Sequence, residues 1–275
     1  LPAPVAVGAV VSATATKTTS GYAAFTDTSE FAKNVTAALA PYSLRSTLAL
    51  DSATGGTATT TRTGAGVTVA VVDSGMVLDG GAAARVKTTR DFTTGAVNPA
   101  HIAPLDPHGH GTHIAGLIGS NQADYKGVAP DVSYVSLRVL NASGAGSTSS
   151  VINALQWAVV NKAAYGIDVI NLSLGHPIYE PAETDPLVQA VEAAVRAGIV
   201  VVTSAGNYGT NPLTGQVGYA GISSPGNAPS AITVGALRTQ DTTRRSDDRM
   251  AEYSSRGPTW YDGYAKPDVI APGHR

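Results

Sequence analysis

The sequence predicts an α/β fold, a doubly wound, mostly parallel sheet with helices on both faces. Three observations carry that expectation. Near-continuous β-branched and apolar runs recur at 67–72, 134–140, 167–172, 199–203 and 231–236, the pattern of strands buried on both sides. Two helical patterns, over 151–164 and 187–197, stand between the later runs. Each stops at a glycine, Gly166 and Gly198, where a helix end commonly needs a left-handed residue. Finally, 43% hydrophobic content over 275 residues supplies enough apolar material for a full core. Strands and helices in alternation imply right-handed βαβ crossovers.

Taken in order, residues 1–63 read as an Ala/Thr-rich tail or the remnant of a pro-segment. The stretch 51–63 holds six threonines and no large apolar side chain. Residues 4–15 are mildly apolar and end in an Ala-x-Ala pattern like a signal-peptidase site, without a start Met or a basic leader. Phe31, Val35 and Leu39, spaced four apart before Pro41, predict a short amphipathic helix over 25–39. The main domain is expected over 64–275, with its first strand just after Gly66.

Composition removes several function classes. Eighteen Lys and Arg against twenty Asp and Glu give a formal charge of -2, so no field draws a nucleic acid or an anionic membrane. The absence of cysteine excludes disulfides, thiolate metal sites and a cysteine nucleophile. No apolar run approaches the ~20 residues that span a bilayer.

In an open α/β sheet, functional groups gather beyond the carboxyl ends of the strands. Three such ends carry Asp73-Ser74-Gly75, Asn171-Leu172-Ser173-Leu174-Gly175 and Ser204-Ala205-Gly206-Asn207. A fourth feature, His108-Gly109-His110-Gly111-Thr112-His113, opens the segment 112–120. Two chemistries fit. His108, His110 and His113 form an H-x-H-x-x-H arrangement that could present imidazoles to zinc in a metal-dependent hydrolase. Alternatively, a buried Asp orients a His that takes a proton from a serine.

The second chemistry has a specific precedent. The runs Val69-Ala70-Val71-Val72-Asp73-Ser74-Gly75, His110-Gly111-Thr112-His113-Ile114-Ala115-Gly116 and Ser204-Ala205-Gly206-Asn207 resemble successive signature blocks of subtilisin-like serine proteases, the subtilase family. Supporting blocks follow in the same order: Gly127-Val128-Ala129-Pro130, 168–175, Ser254-Ser255-Arg256-Gly257-Pro258 and 266–273. The resemblance runs from Gly66 to Gly273. It implies that Asp73 orients the imidazole, His110 is the general base and the Asn207 side chain stabilises the oxyanion. His113 becomes a packed helix residue, and His108 receives no role. Gly144, Ala145 and Gly146 with Ser173, Leu174 and Gly175 resemble the two edge segments that hold an extended polypeptide substrate as an added strand. Ser204, Ala205 and Gly206 resemble one wall of the pocket for the residue before the cut, and Ser223, Ser224, Pro225 and Gly226 its floor, with Ser224-Pro225 expected in cis. Tyr208 stands where several relatives carry an acidic residue, which implies an uncharged pocket rim.

The resemblance further implies a secreted, monomeric endopeptidase that needs no cofactor for catalysis. Structural calcium is expected to be absent from the segment between Leu117 and Lys126, which is shorter than in calcium-binding relatives. One departure is large. The family's nucleophile lies in a Gly-Thr-Ser-Met-Ala block after Ala-Pro-Gly, and residues 1–275 contain no Gly-Thr-Ser. The nucleophile is therefore expected beyond Arg275, with residues 1–275 alone a catalytically incomplete, C-terminally truncated fragment. A peptide-binding pseudoenzyme or scaffold on the same fold is the rival from another class.

Overall fold

The computed structural model describes residues 63–274 except 123, 124, 212 and 243, together with residues 10, 11, 35, 36 and 48. In chain order the elements are β1 (Val10–Val11), β2 (Val35–Thr36), β3 (Thr68–Asp73), α1 (Gly80–Ala83), β4 (Val86–Asp91), α2 (His110–Gly119), β5 (Ser133–Arg138), α3 (Thr148–Val160) and α4 (Lys162–Tyr165). They continue with β6 (Val169–Leu172), α5 (Pro186–Arg196), β7 (Val200–Ser204), β8 (Ile232–Arg238), β9 (Arg249–Met250) and β10 (Val269–His274).

The main sheet runs β10-β8-β7-β6-β3-β5-β4, and every neighbouring pair along that path is parallel. Only β9 is antiparallel, where it pairs with β8. The chain leaves β3 for β4 and β5 on one side, then crosses over to β6, β7, β8 and β10 on the other. The switch falls beside β3, the position where an α/β sheet opens a crevice at its carboxyl ends.

Alternation along β3 explains why the sheet is covered twice. Ala70 and Val72 join Leu137, Ala154, Leu155, Val188 and Val191 in a core beneath α3 and α5. Val69 and Val71 point the other way, to Met76, Ala115 and Tyr134 around α2. Period-two side chains from one strand thus serve two cores. Each fully buried Val or Leu contributes about 1.5–3 kcal/mol of transfer free energy.

The helix limits follow their capping groups. Ser147 Oγ accepts from the Ser150 N–H at 3.1 Å to start α3, and Asp185 Oδ1 accepts from Leu187 N–H at 2.8 Å to start α5, whose first residue is Pro186. Gly166 and Gly198 take φ of 63° and 78°, the left-handed values their sequence positions predict.

Two expectations need correction. The helix expected over 25–39 is not present at Val35–Thr36, which pairs antiparallel with Val10–Val11; two adjacent β-branched residues suit a strand, and the rest of that span lies outside the described residues. The helix expected over 151–164 begins earlier and divides at Asn161, whose φ and ψ of -99° and 8° leave the helical region while its side-chain amide donates to Trp157 O at 2.9 Å. The edge strands β4 and β10 did not stand out as apolar runs. Among the described residues no helix is long and apolar enough to cross a membrane.

Candidate active site

Asp73 ends β3 and His110 begins α2, and both side chains are buried. The Nδ1–H of His110 donates to Asp73 Oδ1 at 2.7 Å and lies 2.9 Å from Oδ2. An ionised carboxylate only accepts, so Nδ1 carries the proton in this contact, which leaves Nε2 as the nitrogen directed away from Asp73. Asp73 Oδ1 takes a further bond from the Ser74 N–H at 2.7 Å.

The approach of α2 to this loop depends on Gly111. A Cβ there would overlap the carbonyl oxygen of Gly75 and press on Asp73 Cβ at 3.1 Å, so only a bare α-carbon fits. The loop before the helix completes the contact. Asp106 accepts from Ser74 Oγ and from the N–H groups of Gly109 and Thr112, each at 2.8 Å, and from Thr112 Oγ1 at 2.6 Å. Burial alone pushes the Asp106 carboxyl up, but the hydrogen bonds from Thr112, Gly109 and Ser74 outweigh it and hold it below its ordinary value.

The other predicted residues sit around these two. Strands β5 and β6 flank β3, so 144–146 and 173–175, which follow them, lie on either side of the strand that delivers Asp73. Asn141 organises the first segment: its Oδ1 accepts from Ser143 N–H at 2.9 Å and from Ala145 N–H at 3.1 Å. The second segment runs against the expected pocket floor, where His176 and Ser224 exchange two backbone bonds of 2.9 Å. A Cβ on Gly175 would lie 2.8 Å from Ser223 Oγ, and a Cβ on Gly206 would lie 2.8 Å from the same atom. Gly175, Gly206 and Ser223 therefore converge, and the Ser224-Pro225 bond is cis.

Asn207 is exposed at the end of this wall. Ser255 secures the residues on both sides of it, donating its N–H to Gly206 O at 2.9 Å and accepting from the Tyr208 N–H at 3.0 Å. Tyr208 is half-buried; burial and the neighbouring Tyr179 push its hydroxyl up to about 12, so it stays neutral. Asp185 supports the floor, because its Oδ2 accepts from Ser224 Oγ at 2.7 Å while Oδ1 caps α5.

For the zinc alternative, the His108 ring centroid lies 6.2 Å from that of His110, and His113, expected as a packed helix residue, is exposed as a residue while burial of its ring holds its pKa below the ordinary value. Among the described residues no three His, Asp or Glu side chains gather as a metal site.

Sequence reasoning missed Asp106 and Asp185 and gave Ser255 no role beyond its block. The Asp185-Pro186 pair ahead of an apolar helix carried a capping signal. Asp106 had none within reach, since its partners at Ser74 and Thr112 become visible only when two loops meet.

Comparison with known proteins agrees with this arrangement. Serine protease AprX of Bacillus subtilis is 40% identical over 222 residues, which cover 78% of this chain and 47% of that protein. Subtilisin E of the same organism is 37% identical over 213 residues, 77% of this chain and 48% of that protein. The chain thus spans about half the length of the curated relatives it matches. Among solved structures, Sphericase superposes with a TM-score of 0.67 at 31% identity, covering 85% of this chain and 73% of that one. S41 Psychrophilic Protease gives 0.66 at 28% identity, with 85% and 72% covered. Residues 64–275 match peptidase S8, and with a subtilisin-like sheet beneath a buried Asp–His pair, this chain is a member of the subtilase family.

Proposed function

We propose that the protein is a secreted, monomeric serine endopeptidase in which Asp73 orients His110, His110 acts as general base and acid, and Asn207 stabilises the oxyanion. The nucleophilic serine is assigned to a block following Arg275, because no serine within residues 1–275 stands in the family's Gly-Thr-Ser motif. One observation carries the reading: the 2.7 Å bond from His110 Nδ1–H to the buried Asp73. With Nδ1 occupied, Nε2 is the nitrogen left to take the serine proton. As that proton arrives, the imidazolium meets a carboxylate already desolvated and aligned, so little reorganisation is needed. His110 then returns the proton to the leaving amine. A polypeptide lying between 144–146 and 173–175 is held through its backbone, and Ser204, Ala205, Gly206 and Ser223 bound the space for the residue before the cut. No cofactor enters the reaction, and no calcium is assigned to the segment between Leu117 and Lys126.

A fluorophosphonate tests the reading directly. The full-length protein should label at one serine beyond Arg275, and His110→Ala should abolish labelling. Residues 1–275 alone should stay unlabelled. In the full-length protein Asp73→Asn should keep the fold yet reduce kcat by about 10⁴, since the wrong tautomer would face the serine. Asn207→Ala should lower kcat more than it raises KM, because its bond strengthens as charge develops. Peptidase activity that survives His110→Ala would overturn the assignment, and binding of peptides without turnover would favour the pseudoenzyme.

A further inference from the structure

We infer that Asp106 is a positioning residue for the base: it locks the loop that follows Asp73 to the start of the helix that carries His110. The inference rests on the proposed roles of Asp73 and His110.

The first N–H groups of any α-helix lack partners within the helix. Here the residue before α2 is Gly109, which has no side chain to cap with. Asp106, three residues upstream, supplies the missing acceptor. Its Oδ2 takes both the N–H and the Oγ1–H of Thr112, at 2.8 and 2.6 Å, while its Oδ1 takes the Gly109 N–H and the Ser74 hydroxyl, both at 2.8 Å. One carboxylate therefore holds the backbone on both flanks of His110 and reaches across to the residue next to Asp73.

Ser74 closes the circuit. Its hydroxyl oxygen accepts from the Gly111 N–H at 3.0 Å, and its own N–H donates to Asp73 Oδ1 at 2.7 Å. On the far side, Thr112 Oγ1 accepts from Val77 N–H at 3.0 Å, and Met76 N–H donates to Leu105 O at 3.1 Å. Residues 73–77 and 105–112 thus form one hydrogen-bonded body with Asp106 at its centre. All four of its bonds need an acceptor-only, ionised carboxylate, which agrees with its lowered pKa. An amide in its place keeps one acceptor oxygen and turns the other position into a donor that faces two donors, Thr112 N–H and Oγ1–H. The helix start would shift away, and the Asp73–His110 bond with it. A misplacement of about 1 Å at a reacting group can cost on the order of a hundredfold in rate.

The test uses the full-length protein, with active sites counted by fluorophosphonate titration so that folded fraction does not enter. Asp106→Asn should lower kcat per titrated site by about ten- to a hundredfold with KM within about twofold. Ser74→Ala, which removes one bond of the circuit and is less of a threat to folding, should act in the same direction but several-fold. The double variant should be no slower than Asp106→Asn alone, since both act through one circuit. A spectroscopic reading needs no turnover: the far-downfield Nδ1–H proton resonance of His110 should move upfield or broaden in both single variants. An unchanged kcat per site, or an unmoved His110 resonance in Asp106→Asn and Ser74→Ala alike, overturns the inference. Parental turnover that vanishes in His110→Ala while Asp106→Asn is unaffected defeats this inference alone; parental turnover that persists in His110→Ala defeats the catalytic reading beneath it.

Discussion

In the proposed pocket Tyr208 supplies the rim, and its hydroxyl, pushed up to about 12, offers no negative charge at any ordinary pH. A Lys or Arg before the cut would lose hydration there without gaining a partner. A large apolar or aromatic residue at that place should therefore give higher kcat/KM than Lys or Arg in a peptide library offered to the full-length protein, and Tyr208→Glu should shift the preference toward the basic residues. Higher turnover of Lys or Arg by the parental protein would refute the uncharged rim. Asp73, His110 and Asn207 stand out in the sequence because each sits inside a short run of neighbours that resembles a family block, and the structure places Asp73 against His110. Asp106 does not stand out, since a carboxylate near a helix start is ordinarily only a cap; its reach to Ser74 is a fact of two loops in contact.

Among elements, α5 shows how a helix end can serve a pocket. Asp185 is 3% exposed and divides its oxygens between the first turn of α5 and the hydroxyl of Ser224. Asp185→Ala should destabilise the fold by about 2–3 kcal/mol, the sum of a lost cap and an orphaned buried hydroxyl, as read from urea unfolding midpoints. A loss below about 0.5 kcal/mol would mean that water or a neighbour replaces both bonds. The five strands read from sequence were those of the sheet interior, where burial on both faces forces apolar residues. The edge strands escaped because their buried positions are polar or interrupted. In β4 the buried pair is Thr88 and Thr89, followed by Arg90 and Asp91, and Thr88 takes a side-chain partner in His101. In β10, Pro272 and Gly273 break the apolar pattern, yet a proline is tolerated on a strand that pairs on one flank among the described residues.

Over the whole molecule, carboxylates set the response to acid. Asp91, Asp106 and Asp268 all titrate below the ordinary 3.8; burial raises each, but hydrogen bonds outweigh it, with Arg138 also lowering Asp91 and Lys266 also lowering Asp268. A group whose folded pKa is depressed adds stability above its unfolded value, and that stability is lost as pH falls through the folded value. The melting temperature should thus hold steady down to about pH 4 and drop steeply beneath it, and Asp106→Asn should flatten the drop. A melting temperature independent of pH between about 5 and 2.5 would contradict this.

The placement of β3 in mid-sheet has a consequence in time. Its two partners are β5 and β6, so Val69 pairs with Tyr134 on one side and with Val169 on the other. A chain emerging from the ribosome must carry this apolar strand unpaired until Tyr134 follows and half-paired until Val169 does, and the loop entropy of parallel pairing is met before any contact rewards it. Folding should accordingly be slow, with a barrier that also slows escape from the native state. For a protein proposed to live among peptidases of its own kind, the rare opening of that sheet, more than the depth of its free-energy minimum, sets how long each copy survives.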